Sequence, residues 1–441
     1  MRSRIDIMIR KIDVLEFAEK TSEETPDWSQ TGEILPVYKV SLDKLYFNDD
    51  NGRIATWISS YFDAKNQKSL DKMTLEEYND TIHNFIKKSN TPESYKKTLN
   101  DIKLKGQIRP GVILRDGRVV SGNRRFAILR DLHRETGNDQ FAFFKCFIVD
   151  KDLDKEDDRK YIKTIERLTQ FGVDEKVDYD PIDRLVDIYN DLIGPRKIWT
   201  IEEYSKKLSL KLSQVKLMHD KAAIMADYLD FINKPNKFYI AKKQKLDGPI
   251  QELARLYKKV SNNKYEWNRI KIVFYSYFPE PGDKTRITRD LIKVYDTDAS
   301  KFDELIEKCA SDMEKKEQEI FNKTNNYNLG STAAITSPNT AINIEMSSDL
   351  NASTGLNTEI KQSEDVQPVL SDKTKEEIFY VTSRTKKEKG RRDKVNKIFQ
   401  AIDALINSIN DAFEVMNLEE RMKLEEKIKS MEKVLTTVKG D

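Results

Sequence analysis

Gly122-Asn123-Arg124-Arg125 sets two guanidinium groups directly after a glycine, where a strand-like pattern gives way to a helical one. Guanidinium groups bind phosphate and carboxylate oxygens through charge-assisted, often bidentate hydrogen bonds. A glycine lets an anion approach the backbone closely, and the first turn of a helix offers N–H groups and the positive end of the macrodipole. The chemistry is anion binding, either of a nucleotide or of a nucleic-acid backbone. The plain alternative is a pair of solvated charges after a hairpin. The flanking residues argue against it.

Those flanking residues supply the elements that must hold the corner in place. Val112-Ile113-Leu114 is a short apolar run, Asp116-Gly117 predicts a two-residue hairpin turn, and Val119-Val120 begin the return strand. Ser121-Gly122-Asn123 break that strand. Phe126, Ala127, Leu129 and Arg130 then predict a helix to about Glu135. Upstream, Gly106-Gln107-Ile108-Arg109-Pro110 leads into the first strand, and Val40 to Leu45 is another strand pattern closed by Asn51-Gly52-Arg53.

These three elements, in this order, resemble the ParB/sulfiredoxin-like superfamily, and most closely the ParB-type chromosome and plasmid partition proteins. The family's turn is typically Gly-Glu-Arg-Arg; Asn123 stands at the Glu position here. A later Glu-Asn-x-x-Arg element is matched only at Glu166, since Arg167 and Gln170 occupy the other two places. The resemblance spans roughly Tyr38 to Asp230. It implies an α+β fold with a small mixed sheet, and a pocket for CTP or another nucleotide formed by Asn51, Arg53, Gly106, Gln107, Arg109, Pro110, Ser121, Gly122, Asn123, Arg124 and Arg125. It also implies a Mg2+ ion facing Glu166; apart from the resemblance, Asp174 and Asp178 are acidic residues that could join Glu166 on such an ion. Asn123 cannot act as a base, so any hydrolysis should be weak or absent. Sulfiredoxin carries a cysteine at this turn. Cys146 and Cys309 lie elsewhere, which excludes a redox reading.

A second constellation runs from Trp199 to Met218. Thr200 with Glu203 three residues later is a capping-box pattern, and Ile201, Tyr204, Ser205 and Leu208 share one helical face. Ser209-Leu210-Lys211 predicts a turn and Leu212 to about Lys221 a second helix, with Leu210, Val215 and Met218 packed between the two. This is the layout of a helix-turn-helix, preceded by a helix that Asp180 caps and Pro181 opens. Lys211, Ser213, Gln214 and Lys216 would face double-stranded DNA, with Gln214 suited to a base edge and the lysines to phosphates. The competing reading is a structural helical pair. Partition proteins place such a module directly after the nucleotide domain, which favours DNA.

Composition bounds the remainder. The 441 residues suggest two or three domains, 34% are charged, and the net charge of +2 requires nucleic-acid affinity to come from local patches. Two distant cysteines exclude a disulfide framework, and no apolar run reaches the ~18 residues needed to span a membrane. His83, His133 and His219 are isolated and fit packing or surface roles better than catalysis. A cytoplasmic protein is expected.

The expected organisation is an N-terminal helix and loop (1–35), a ParB-like domain (36–160) with an insertion at 55–93 able to lid the pocket, and a helix-turn-helix domain (161–245). A helical extension (246–322), a disordered linker (323–372) and a helical tail (373–441) follow. The aromatic-rich stretch of Tyr257, Tyr265, Trp267, Phe274, Tyr275, Tyr277 and Phe278 fits a packed core better than a base-stacking surface. As a free tether the linker would separate its ends by roughly 40 Å. In the tail, a run from Arg384 to Lys397 carries eight basic and two acidic residues. The apolar stripe Ile398, Ile402, Leu405, Ile409 and Phe413 then suits a homodimer or a protein partner. Two further classes stay open: a magnesium-dependent nuclease or other phosphoryl-transfer enzyme of the superfamily, and a non-enzymatic scaffold that recruits a partner through its tail.

Overall fold

A computed structural model describes residues 12–29, 31–66, 70, 73–173, 179–331, 369–413 and 415–438. Six strands form one mixed sheet: β1 (Glu19–Glu24), β2 (Leu35–Ser41), β3 (Tyr46–Phe47), β4 (Gly111–Leu114), β5 (Arg118–Ser121) and β6 (Phe143–Val149). Their spatial order is β1-β2-β6-β4-β5-β3. The β6–β4 and β5–β3 pairs are parallel and the others antiparallel.

The apolar runs Val112–Leu114 and Val119–Val120 are buried on both faces because successive side chains alternate across the sheet. Ile113 and Val119 meet helices α2 (Leu75–Lys88) and α4 (Asn123–Thr136). Val112, Leu114 and Val120 meet Ile162 and Ile165 of α5 (Glu156–Val173). The expected hairpin is present with one change: three residues, Arg115 to Gly117, connect its strands. Gly117 takes φ +90°, and a Cβ there would sit 2.3 Å from the Lys44 carbonyl oxygen.

Three sequence expectations about this part need correction. The segment after Ile12 is a short 3-10 turn and an edge strand, β1, and not a loop; β1 pairs with β2 across a register shift between Lys20 and Ser22. The 55–93 segment is no appendage. Thr74 and Glu77 form a capping box that starts α2, and Tyr78, Ile82, Phe85 and Ile86 are buried against the sheet. Asn79 accepts from the Phe47 N–H and donates to the Leu45 carbonyl, so its amide continues the edge of β3. The expected helix within 1–11 lies outside the described residues.

Two further helices of this region are α1 (Ala55–Lys65) and α3 (Pro92–Lys105). After α5 the chain is helical: α6 (Pro181–Ile188), α7 (Ile201–Lys207), α8 (Leu212–Phe231), α9 (Tyr239–Lys243), α10 (Asp247–Val260), α11 (Lys264–Tyr277), α12 (Lys284–Thr297), α13 (Ala299–Ser331), α14 (Asp372–Phe413) and α15 (Leu418–Val438). The α+β class expected from the motif order is present.

A single apolar core runs from Ile182 to Cys309 and also takes in Leu370, Ile378 and Val381. The helix pair and the helical extension are therefore one body, and the root of the tail is docked on it. Ser371 N–H donates to Asp312 at 2.8 Å, and Lys375 pairs with Glu280 at 3.2 Å. This corrects the picture of a tail on a free tether. Of the linker segment 323–372, residues up to Ser331 continue α13, and 332–368 lie outside the described residues. Most of the aromatic stretch is core: Trp267, Phe274, Tyr275 and Phe278 are buried and Tyr257 and Tyr277 pack against them, while Tyr265 is exposed and departs from the expectation. Among the described residues no helix is long and apolar enough to cross a membrane.

Candidate functional site

The strand β5 ends at Ser121, and Gly122 turns the chain with φ +92° into α4. A Cβ on Gly122 would lie 3.0 Å from the Phe144 ring and 3.3 Å from the Gly111 Cα, so strain and crowding both keep this position glycine. No side chain caps the start of α4. An anion is the natural partner of such a terminus. The sequence element Gly106–Pro110 closes α3: Gly106 takes φ +71° and its N–H returns to the Ile102 carbonyl.

These pieces border one cavity of about 360 Å3. Asn51, Arg53, Gly106, Gln107, Arg109, Ser121, Gly122, Asn123, Arg124, Arg125 and Glu166 all line it. Pro110 lines a smaller adjoining cavity instead. Sequence reasoning missed Ser89, Asn90 and Thr98, polar residues just after α2 and in α3 that also line it.

Individual side chains divide into those facing the cavity and those spent on its walls. Arg125 Nη1 donates to the Arg109 carbonyl at 2.6 Å and to the Pro110 carbonyl at 3.1 Å, which ties the 106–110 loop to α4. Arg124 reaches Ser94 Oγ at 3.5 Å. Gln107 pairs its amide with both backbone groups of Lys145, at 2.7 and 2.8 Å. The Asn123 amide is buried and serves the Asn48 N–H and the Val120 carbonyl, both at 3.4 Å. Asn51 caps the 3-10 turn that carries Arg53, accepting its N–H at 3.1 Å. Asn123 and Asn51 are thus wall-builders first.

Glu166 sits at the back of the cavity, 2% exposed. Its Oε2 accepts from Lys163 Nζ at 2.9 Å, while Oε1 accepts no hydrogen bond and lies 3.8 Å from an Arg167 nitrogen. Burial pushes the Glu166 carboxyl up, against the pull of Lys163 and Arg167. Burial alone would lower Lys163, but Asp50 and Glu166 hold its ammonium above the usual range. Lys163 occupies one oxygen of Glu166, and among the described residues no group of three acidic, His or Cys side chains could hold a metal by itself, so a magnesium ion facing Glu166 would need its other ligands from phosphate and water. Asp174 and Asp178 lie outside the described residues.

Behind Glu166, Arg167 is the residue that sequence reasoning passed over. It is 2% exposed and saturated: Nε and Nη2 grip Asp191 at 2.7 and 3.2 Å, Nη2 also donates to Asp187 at 2.8 Å, and Nη1 to Gln170 at 3.0 Å. Asp187 receives a further bond from Tyr179, whose ring lies 4.8 Å from the Arg53 guanidinium. The Asp191 carbonyl accepts from the N–H groups of Ile198 and Trp199, immediately before the Thr200–Glu203 capping box of α7. A continuous polar path therefore joins the cavity wall to the helix pair. Gly52 abuts the same path, because a Cβ there would fall 1.9 Å from Asp187 Oδ1. Gly52→Ala is expected to cost about 1–3 kcal/mol by overpacking a carboxylate that cannot retreat. A thermal melt unchanged from the parent would contradict that.

The two helices of the second constellation, α7 and α8, and the turn between them form at the expected positions. In α7 the Ser205 hydroxyl donates to the Leu210 carbonyl at 2.8 Å, and Ser209 takes φ +53° in the turn. Val215 is fully buried, and Leu210 and Met218 pack on the same core. Lys211, Ser213, Gln214 and Lys216 are all exposed at the leading end of α8, together with half-exposed Leu212 and Leu217. The second helix is longer than expected and continues to Phe231.

No family model and no curated protein matches the chain. Among solved structures, a Pnob8-like ParB-N domain aligns at 14% identity and a TM-score of 0.33, over 62% of this chain and 96% of its own. The C-terminally truncated chromosome-partitioning protein ParB from Caulobacter crescentus, complexed with CTP-γ-S, aligns at 12% identity and a TM-score of 0.18, over 50% of this chain and 92% of its own. The chain is similar to these ParB structures at low identity and with limited superposition.

Proposed function

We propose that the chain is a nucleotide-responsive DNA-binding protein serving DNA segregation, regulation or a mobile-element system. The observation that carries this reading is the convergence of Arg53, Arg109, Arg124 and Arg125 with an uncapped helix start on one cavity. That arrangement suits a polyphosphate, and the volume is in the range of small-ligand pockets. CTP is the first nucleotide to test, on the strength of the motif order.

The DNA element of the proposal is the exposed start of α8. Lys211 and Lys216 would meet phosphates and Gln214 a base edge, a reading that their exposure supports. The path through Arg167, Asp187 and Asp191 supports coupling, since it touches both the cavity wall and the entry to α7. Nucleotide would favour one disposition of the two parts, and DNA would bias the same equilibrium by an equal free energy.

Calorimetric titration with CTP, ATP and GTP, with and without duplex DNA, tests the reading directly. Selective binding of one nucleotide, altered by DNA, is expected. Absence of binding by all three would end the nucleotide part of the proposal and leave the arginine corner as a phosphate contact for nucleic acid. For the DNA surface, Lys211→Ala with Lys216→Ala is expected to reduce the slope of log K against log salt by about 2. An unaltered slope would move the contact to another face.

A further inference from the structure

A small cavity of about 20 Å3 is bordered by both Arg167 and Tyr204 of α7. It has room for one guest of about the size of a water molecule, for which roughly 10–15 Å3 is the lower limit. Tyr204 is 1% exposed, and its ring stands edge-on to Trp199 with centroids 5.6 Å apart. Its hydroxyl is buried and has no hydrogen-bond partner among the described residues. Buried polar groups are normally paired, so this donor points to a guest. Burial, reinforced by Asp191, pushes the hydroxyl well above its usual range, so it keeps its proton and can donate.

The lining says what the guest is. Among the described residues that border the cavity, Arg53, Arg167 and Arg184 bring three guanidinium groups against one carboxylate, Asp187. The acceptors are already engaged: Arg167 donates to Asp187 at 2.8 Å and to the Gln170 oxygen at 3.0 Å, and Tyr179 donates to Asp187 as well. The Arg53 and Arg184 guanidinium groups lie 4.8 and 5.6 Å from the centre of the Tyr179 ring, which keeps both charges at the site. A water molecule needs acceptors for its own protons, whereas an anion needs donors alone, and guanidinium groups are donors only. We propose that this cavity binds a small monovalent anion of halide size, with the Tyr204 hydroxyl as its neutral donor and the guanidinium groups as its counter-charge. Nucleotide binding plays no part in the argument. Arg53 also lines the large cavity, so the ion links that cavity's wall to α7 and stabilises the folded chain.

Thermal melts of the full chain, of Tyr204→Phe and of Arg124→Ala in sodium chloride or sodium bromide, each set against sodium gluconate at equal concentration, test the site. The quantity read is the halide-minus-gluconate difference within each variant, compared across variants. Halide is expected to raise the parent's melting temperature, since a ligand held only by the folded state stabilises it. Tyr204→Phe keeps the ring and removes the donor. It should weaken halide at least about tenfold, so that most of the rise disappears. Arg124→Ala should keep the rise, because Arg124 borders the large cavity and not this one. Crystals grown in bromide should show the ion's anomalous signal beside the Tyr204 hydroxyl. An equal halide difference in the parent and Tyr204→Phe, zero included, would overturn the site and leave a water molecule as the guest. A rise lost in Arg124→Ala but kept in Tyr204→Phe would place the ion at the arginine corner and overturn it equally.

Discussion

Arg167→Met is expected to lower the free energy of unfolding by about 3–5 kcal/mol. The guanidinium is 2% exposed, and it supplies the side-chain hydrogen bonds of Asp191 and one of those of Asp187, which are 1% and 5% exposed. Removing it leaves Asp191 uncompensated and Asp187 with Tyr179 alone in a low-dielectric interior, where an uncompensated charge costs far more than a lost contact. Methionine fills much of the volume, so the loss reports charge and hydrogen bonding more than cavity formation. Denaturant unfolding measures it, and adding Asp187→Asn and Asp191→Asn to the same chain should recover a substantial part. A loss below about 1 kcal/mol for the single variant would mean that the network is not a unit. The same variant should uncouple nucleotide from DNA wherever it still folds, because the path between the two surfaces runs through this side chain.

Arg124→Ala is expected to raise the dissociation constant for a nucleoside triphosphate about 100-fold, with no change in the melting temperature of the ligand-free protein. A hydrogen bond to a charged group contributes about 1.5–3 kcal/mol, and the upper part of that range applies to a guanidinium on a polyphosphate. Arg124 is the cleaner probe of the pair. Arg125 also ties down the Arg109 and Pro110 carbonyls, so its removal would loosen the cavity wall as well as the ligand. Isothermal calorimetry with a parallel thermal melt separates the two effects. Unchanged affinity would remove Arg124 from the phosphate contacts.

Much of the cavity was legible in the residues. The positions near 51, 106 and 166 were reached through the resemblance to the ParB-type proteins, whereas the Gly122 corner is marked by a local constraint, a positive-φ glycine that opens a helix, and such constraints leave a sequence signature. The partners of charged residues leave none. Glu166 reads as a candidate metal ligand until its neighbour one turn earlier, Lys163, is seen against it, and nothing local announces that Arg167 reaches Asp187 and Asp191. The edge strand β1 escaped for a related reason. Its side chains are largely exposed and its register shifts between Lys20 and Ser22, so no alternation of apolar residues marks it. The docked root of the tail was hidden because Leu370, Ile378 and Val381 stand among charged residues, and the rest of α14 has an exposed apolar stripe that drew the eye further along.

That docked root has a consequence for how the protein tolerates change. Asp312, which receives the Ser371 N–H, lies nineteen residues before the end of α13 at Ser331, about 30 Å along the helix axis. The chain before 332 and the chain after 368 are therefore held on one helical body, and a single polar substitution at Ile378 or Val381, both buried in that body, should loosen the tail from its root.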